Sequence, residues 1–304
     1  MGHNHAHHHH VDPKAGDAKV AFAIGLNLLL TLAQIIGGIV AGSLSLIADA
    51  MHNLSDAMSL VIAFGARKIA RRPADARMTF GYGRIEAVAA LINYTTLIVV
   101  ALYLVYEGVA RFFEPTEVTG WIIVIVAAVA LAIDLGTAAL TYRMSKTSMN
   151  IRAAFLHNLA DAFGSVAVII AGTLVILFEW YWVDPLVTLL IAAYILWHAA
   201  VEMPGVVRLL MLGCPDDLDT HEVIAALEAE SGVESVHHVH LWMMGEHENA
   251  LDAHILLRPY ADPRETDTAL RQMLVARFAV SHCTFQIEEH GTECAQAGTL
   301  IGHA

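Results

Sequence analysis

The chain has 304 residues, of which 57% are hydrophobic and only 15% charged, with a mean hydropathy of +0.56. Soluble proteins carry roughly a quarter charged residues, so this composition reads as a polytopic membrane protein with a soluble appendage. A formal net charge of -13 offers no basic stripe for nucleic acid, and three scattered cysteines (Cys214, Cys283, Cys294) make no disulfide framework.

The first 19 residues are polar and include His3, His5, His7, His8, His9 and His10. Such a tract can collect metal but cannot pack a core, and an expression tag reads from the same residues. It lacks the basic region and short apolar core of a cleavable signal. Six apolar runs follow, at 20–41, 44–66, 85–110, 118–142, 151–178 and 185–207. Each is near or above the ~20 residues that cross ~30 Å of hydrocarbon. The connection between the second and third runs carries Arg67, Lys68, Arg71, Arg72, Arg77 and Arg84; that between the fourth and fifth carries Arg143, Lys146 and Arg152. The alternate connections are short and hold Phe112, Phe113, Trp180, Tyr181 and Trp182. The positive-inside rule puts the basic loops and both termini in the cytoplasm, with an aromatic belt outside.

One hexapeptide is written twice. His52-Asn53-Leu54-Ser55-Asp56-Ala57 returns as His157-Asn158-Leu159-Ala160-Asp161-Ala162, in the second and fifth runs. Residues four apart share a helix face, so each copy offers one imidazole nitrogen and one carboxylate to the same side. A lone His-x-x-x-Asp on a soluble helix is usually a surface hydrogen-bonded pair. In hydrocarbon an ionisable side chain costs at least ~2.5 kcal/mol and is usually functional. Together His52, Asp56, His157 and Asp161 make an N2O2 set, the ligand number and type for tetrahedral zinc. The two copies fall on the middle helices of two triplets that insert with opposite topology. That is the inverted-repeat arrangement of alternating-access transporters.

Other polar groups lie in the same runs. Asp49 stands one turn before His52 as an outer partner or entry ligand, and Asp134 is a candidate for the ion path. For Gln34 and Asn93 the ordinary use is hydrogen bonding between helices. His198 and Glu202 are expected to pair with Arg84 or Arg208. After Pro215 the composition changes: a helix at 219–230 with Asp219 and Thr220 as cap candidates, strands at 235–243 and 250–257 around a Gly245 turn, a helix at 262–278 and a strand at 283–289. The order α-β-β-α-β suits a small α+β sandwich. Alternation turns Leu251, Ala253, Ile255, Leu257, Cys283, Phe285 and Ile287 toward the helices, and Asp252, His254, Gln286 and Glu288 to the open face. The nearby His237, His238, His240, His247 and His282 read either as a metal cluster or as a solvated dimer face. Alternation does not place His237 with His254.

The chain resembles the cation diffusion facilitators, the family of zinc-exporting antiporters, and in particular the bacterial cobalt-zinc-cadmium resistance branch and its animal zinc-transporter relatives. The resemblance runs from Ala18 to about Glu289. It is carried by Ser45 to His52 with Asp56, by Arg72-Pro73-Ala74-Asp75, by Thr79 to Glu86, by His157 with Asp161 to Ser165, and by Val236 to Trp242. It implies six transmembrane helices per subunit, a homodimer and a ferredoxin-like cytoplasmic domain. It implies that His52, Asp56, His157 and Asp161 form the transport site, and that His237, His254 and Glu288 hold a cytoplasmic metal. Some relatives carry histidines in the loop between the second and third helices; here stand Met78 and Tyr82, beside Asp75.

The expected organisation is a His-rich cytoplasmic tail at 1–17, a transmembrane domain at 18–210, a metal-binding and dimerisation domain at 211–291 and a flexible tail at 292–304. The expected activity is secondary efflux of zinc, with cadmium or cobalt also fitting, from the cytoplasm in exchange for protons, across a bacterial inner membrane. Imidazole favours these ions over harder ones. A divalent ion against two carboxylates is formally neutral, and metal and protons compete for the same atoms, which couples the two fluxes. There is no Gly-rich phosphate loop. An enzyme would need an open coordination position with a base beside it. The alternative is a membrane metal sensor without flux, which has no need of two mirrored intramembrane motifs.

Overall fold

The computed structural model describes residues 13–145, 149–245, 248–291 and 299–301. The His-rich segment 1–12 lies outside the described residues, as do the side chains of 13–24, 26–27, 56, 59–60, 63–64, 67, 140–141, 143–145, 149–154 and 157. In chain order the elements are α1 (Pro13–Ala41), α2 (Leu44–Ala70), α3 (Ile85–Phe113), α4 (Gly120–Ser145), α5 (Met149–Phe178), α6 (Val183–Leu210), α7 (Thr220–Glu228), β1 (Val233–Gly245), β2 (Glu248–Leu257), α8 (Pro263–Phe278) and β3 (Val280–Glu288). They divide into two compact units, 1–62 with 92–201 and 63–91 with 202–304.

The long helices follow the apolar runs. Ile85–Phe113, Gly120–Ala139, Asn158–Phe178 and Val183–Leu210 are each long and apolar enough to cross a membrane, and Leu28–Ala41 is a shorter apolar helix. In the first unit the usual distribution of side chains is inverted. Leu29, Ile39, Val99, Leu102, Trp121, Ile125, Ile170 and Leu190 are exposed, while Gln34, Asp49, Asn53, Asp134, Asp161 and Ser165 are buried. Ionisable groups turned inward and large apolar ones turned outward describe a bundle solvated by lipid. Phe112 stacks edge-on against Trp182, and Trp180 lies beside Trp182, so aromatic rings gather where α3 ends and α6 begins.

Small residues set how near the helices come. Ile123 and Ala127 of α4 pack on Val168 and Ala171 of α5, together with Leu46, Val183 and Val187. At this crossing a Cβ on Gly120 would meet the Gly172 carbonyl oxygen at 2.7 Å, and one on Gly172 would meet Ile123 Cγ2 at 2.9 Å. Nothing lies within 4 Å of the Cβ position of Gly136 in the same helix α4. Gly120→Ala is therefore expected to destabilise by about 1–3 kcal/mol through overpacking against backbone. Gly136→Ala is expected to be neutral or to gain up to about 1 kcal/mol from helix propensity. Thermal unfolding of the two variants in detergent checks the difference; equal midpoints would show that the crossing is looser than described.

In the second unit α7 and α8 cover one face of a three-stranded sheet of order β1-β2-β3, with β1 and β2 antiparallel and β2 and β3 parallel. Val223, Leu227, Leu270, Leu274 and Phe278 interlock with Leu251, Ala253, Ile255 and Leu257. The expected face of β2 is therefore the core face, and Cys283, Phe285 and Ile287 belong to the same cluster. Asp219 caps α7 by accepting the His221 amide at 2.9 Å, and Asp262 caps α8 by accepting that of Arg264 at 2.8 Å. The α-β-β-α-β order stands as expected. Within the segment assigned to a tail, Thr299 and Leu300 accept the amides of His238 and Val239 at 2.9 and 3.0 Å, and Ile301 bridges Val239 in parallel. This short stretch lies along the free edge of β1.

Candidate metal centres

The first centre is built on α2 and α5. His52 Nε2 lies 3.3 Å from Asp161 Oδ1, the His52 side chain partly buried and that of Asp161 buried. One nitrogen and one oxygen donor from the two repeated motifs thus meet across the helix pair. The side chains of Asp56 and His157 lie outside the described residues; their backbones continue the same helices one turn away. Neighbouring helices hold the pair in place. Gln34 of α1 donates to Asp49 Oδ2 at 2.6 Å and accepts from Asn53 Nδ2 at 3.1 Å, clamping α2 on both sides of His52. Ser165 of α5, one turn beyond Asp161, donates to Asp134 Oδ2 of α4 at 3.3 Å. A Cβ on Gly164 would stand 3.3 Å from Asp49 Oδ1, so the glycine lets α5 approach this carboxylate. Tyr194 of α6 meets the His52 ring edge-on, with centroids 5.9 Å apart. The amides and acids noted in the sequence thus make interhelical hydrogen bonds around the His52–Asp161 pair.

The second centre is on the sheet. His254 Nδ1 lies 2.8 Å from Glu288 Oε1, and His237 Nε2 lies 3.2 Å from Glu288 Oε2. One ligand atom from each of the three residues lies within 4.8 Å of the others. Tetrahedral zinc with bonds of ~2.0–2.1 Å separates its donors by about 3.3 Å, so the three donors already converge on a cation-sized space. His237 pairs directly with His254 across β1 and β2 because the ladder slips at Val233/Ser235 and again at His237/His240, where His238 takes a φ of +53°. Each β-bulge resets the alternation by one residue. His237 and Glu288 are 5% and 3% exposed, so this part of the sheet's second face is not solvated as alternation alone suggests. The rings of His238 and His254 are 4.8 Å apart, and His240 is 5.0 Å from His238. His282 lies apart from this cluster, against Phe80; His247 lies outside the described residues.

The loop between α2 and α3 uses its acid differently. Asp75 Oδ1 accepts the amides of Arg77 and Met78 at 2.7 and 2.9 Å, and Oδ2 accepts the Tyr82 hydroxyl at 2.7 Å. The Tyr82 hydroxyl, helped by those two amides, holds the Asp75 carboxyl below the usual carboxylate range. The carboxylate is engaged in closing the loop. Arg84 donates to the Met243 carbonyl at 3.3 Å and Arg208 pairs with Asp216, so neither arginine has His198 or Glu202 as its described partner.

Residues 20–210 match the cation efflux transmembrane domain, and residues 215–290 match the cytoplasmic domain of cation efflux proteins. The chain belongs to the cation efflux family. Among its relatives, the metal cation efflux system protein CzcD of Cupriavidus metallidurans is 35% identical over 98% of this chain and 93% of its own length. The cadmium, cobalt and zinc/H(+)-K(+) antiporter of Bacillus velezensis is 33% identical, over 95% of this chain and 92% of its own. The zinc transporter ZitB of Escherichia coli is 33% identical, over 100% of this chain and 99% of its own. A membrane-embedded helical domain followed by a helix-and-sheet domain is thus the cation efflux arrangement. A residue that sequence reading passed over is Asp184, which is 1% exposed at the start of α6. Its only sequence signal was an acid beside the aromatic belt, with Ser43 and Ser45 in a distant turn as unassigned donors.

Proposed function

We propose that this cation efflux protein exports zinc, and also cadmium or cobalt, from the cytoplasm in exchange for protons. His52, Asp56, His157 and Asp161 are the transport ligands. The observation that carries the reading is the approach of His52 to Asp161 across α2 and α5, inside a bundle whose outer surface is apolar. A nitrogen-and-oxygen set suits zinc and its neighbours better than harder cations. With two carboxylates the loaded site is formally neutral, and protons replace the metal's charge on the return step. Two oppositely inserted triplets give the site access to one side of the membrane at a time. The relatives' printed names, zinc transporter and cadmium, cobalt and zinc antiporter, accord with this chemistry.

The protein works as a homodimer in the bacterial inner membrane, with basic loops and both termini in the cytoplasm. Its transmembrane domain spans 18–210 and its cytoplasmic domain 211–291. His237, His254 and Glu288 would hold a regulatory zinc, which joins β1, β2 and β3 and favours one packing of the two subunits by its differential affinity. Four transport ligands leave no open position at that site for a hydrolytic water, which argues against hydrolysis there.

The test is zinc-driven proton movement in proteoliposomes holding a pH-sensitive dye. Zinc uptake with opposite proton flow supports the reading. Zinc binding with no flux of either ion makes the protein a sensor.

A further inference from the structure

The first turn of α2 is capped by another helix. Asp184, the second residue of α6, turns both carboxylate oxygens into that turn. Oδ1 accepts the hydroxyls of Ser43 and Ser45 at 2.5 and 2.6 Å, and Oδ2 accepts the Leu44 amide at 2.8 Å. The Ser45 amide lies 3.4 Å from both oxygens. A helix leaves its first four amides without internal partners, and the positive end of its dipole favours an anion there. The turn just before is also held. Arg111 of α3 donates to the Gly42 carbonyl at 2.8 Å, and the Thr119 amide, just before α4, donates to Ala41 at 2.9 Å.

The same helix α6 reaches α2 a second time, where Tyr194 meets His52. His52 follows Leu44 by eight residues, about 12 Å along the axis at ~1.5 Å per residue. Between cap and ring the two helices are therefore tied at both ends of the stretch that presents His52. Each residue of slip would rotate α2 by about 100°, enough to take His52 off Asp161.

We propose that Asp184 is a positioning residue for transport: by capping α2 from α6 it sets the axial register at which His52 meets Asp161. This rests on the reading of that pair as transport ligands. Asp184 touches no metal itself and acts through the helix it anchors.

The experiment uses the full-length dimer in proteoliposomes and in detergent, with zinc flux and the visible absorption of bound cobalt as readouts. Cobalt held by four ligands absorbs strongly only while the set stays tetrahedral, which a loss of folded yield does not alter. Asp184→Ala is expected to raise the zinc KM by about 10–100-fold, the range seen when residues supporting metal ligands are removed. It is also expected to weaken the cobalt band per folded dimer. Asp184→Asn, which keeps one acceptor oxygen, should recover most of both. Should Asp184→Ala fail to fold, the Ser43→Ala/Ser45→Ala pair removes the hydroxyl donors and is expected to shift KM and the cobalt band in the same direction. A wild-type KM and band in Asp184→Ala, or in the serine pair where that variant stands in, overturns the proposal alone. Absence of zinc flux in the unmutated protein overturns it together with the function on which it rests.

Discussion

Zinc flux is expected to fall to background when Asp161 is replaced by alanine, with the dimer intact. Asp161 Oδ1 lies 3.3 Å from His52 Nε2. In the proposed site, removing Asp161 takes away one ligand and one of the two negative charges that would neutralise a divalent ion. The loaded site then carries a net positive charge inside the bundle. On insertion scales a charge at the centre of a helix costs ~2.5–3.5 kcal/mol. At 1.4 kcal/mol per factor of ten, that alone is about 60- to 300-fold in occupancy, before the lost coordinate bond is counted. His52→Ala keeps the charge balance and loses only a nitrogen, so its site should still attract metal but favour harder cations. Zinc uptake by proteoliposomes loaded with a fluorescent chelator, beside manganese competition, measures both. Flux within a few-fold of wild type in Asp161→Ala would remove Asp161 from the transport site.

What could be read in advance depended on how local its cause was. The long helices were legible because an apolar run of more than ~20 residues has few other uses. That each repeated motif puts its His and Asp on one face could be argued beforehand because i,i+4 spacing is a property of one helix, whereas the approach of His52 to Asp161 depends on how two helices pack. Asp219 was legible as a cap for the same local reason; it bonds an amide two residues on. The pairing of His237 with His254 was not, because a slipped ladder at His238 depends on backbone conformation, and strict alternation puts the two out of step. Asp184 was not, because its partners Ser43, Leu44 and Ser45 lie some 140 residues away in the chain. The edge contact of Thr299 and Leu300 with β1 was hidden in the same way, by about 60 residues of intervening chain. The arginines show the limit from another side: Arg84 takes a carbonyl rather than an acid, and composition does not distinguish the two.

Replacing Glu288 by glutamine is expected to abolish metal binding at the cytoplasmic centre while leaving the transport ligands untouched. Glu288 faces both histidines, one oxygen 2.8 Å from His254 and the other 3.2 Å from His237, and it supplies the centre's negative charge. Glutamine keeps its volume but carries no charge, and its amide nitrogen is a donor where a cation needs an electron pair. The affinity of the centre should fall well beyond the 10- to 100-fold that outer-sphere changes produce. Zinc binding only to the folded state stabilises it by RT ln(1 + [L]/Kd), ~2.7 kcal/mol at a hundredfold excess over Kd. A zinc-induced rise in unfolding temperature is therefore expected for the wild-type protein and should shrink in Glu288→Gln, and calorimetric titration should lose one class of site. His254→Ala serves as a second test, since it leaves Glu288 paired with His237 while still removing a ligand. If both variants keep every zinc site and the full thermal shift, the cluster is an ion-paired core of the sheet. If both lose the site and still transport zinc, its role is control of the transporter rather than passage of the ion.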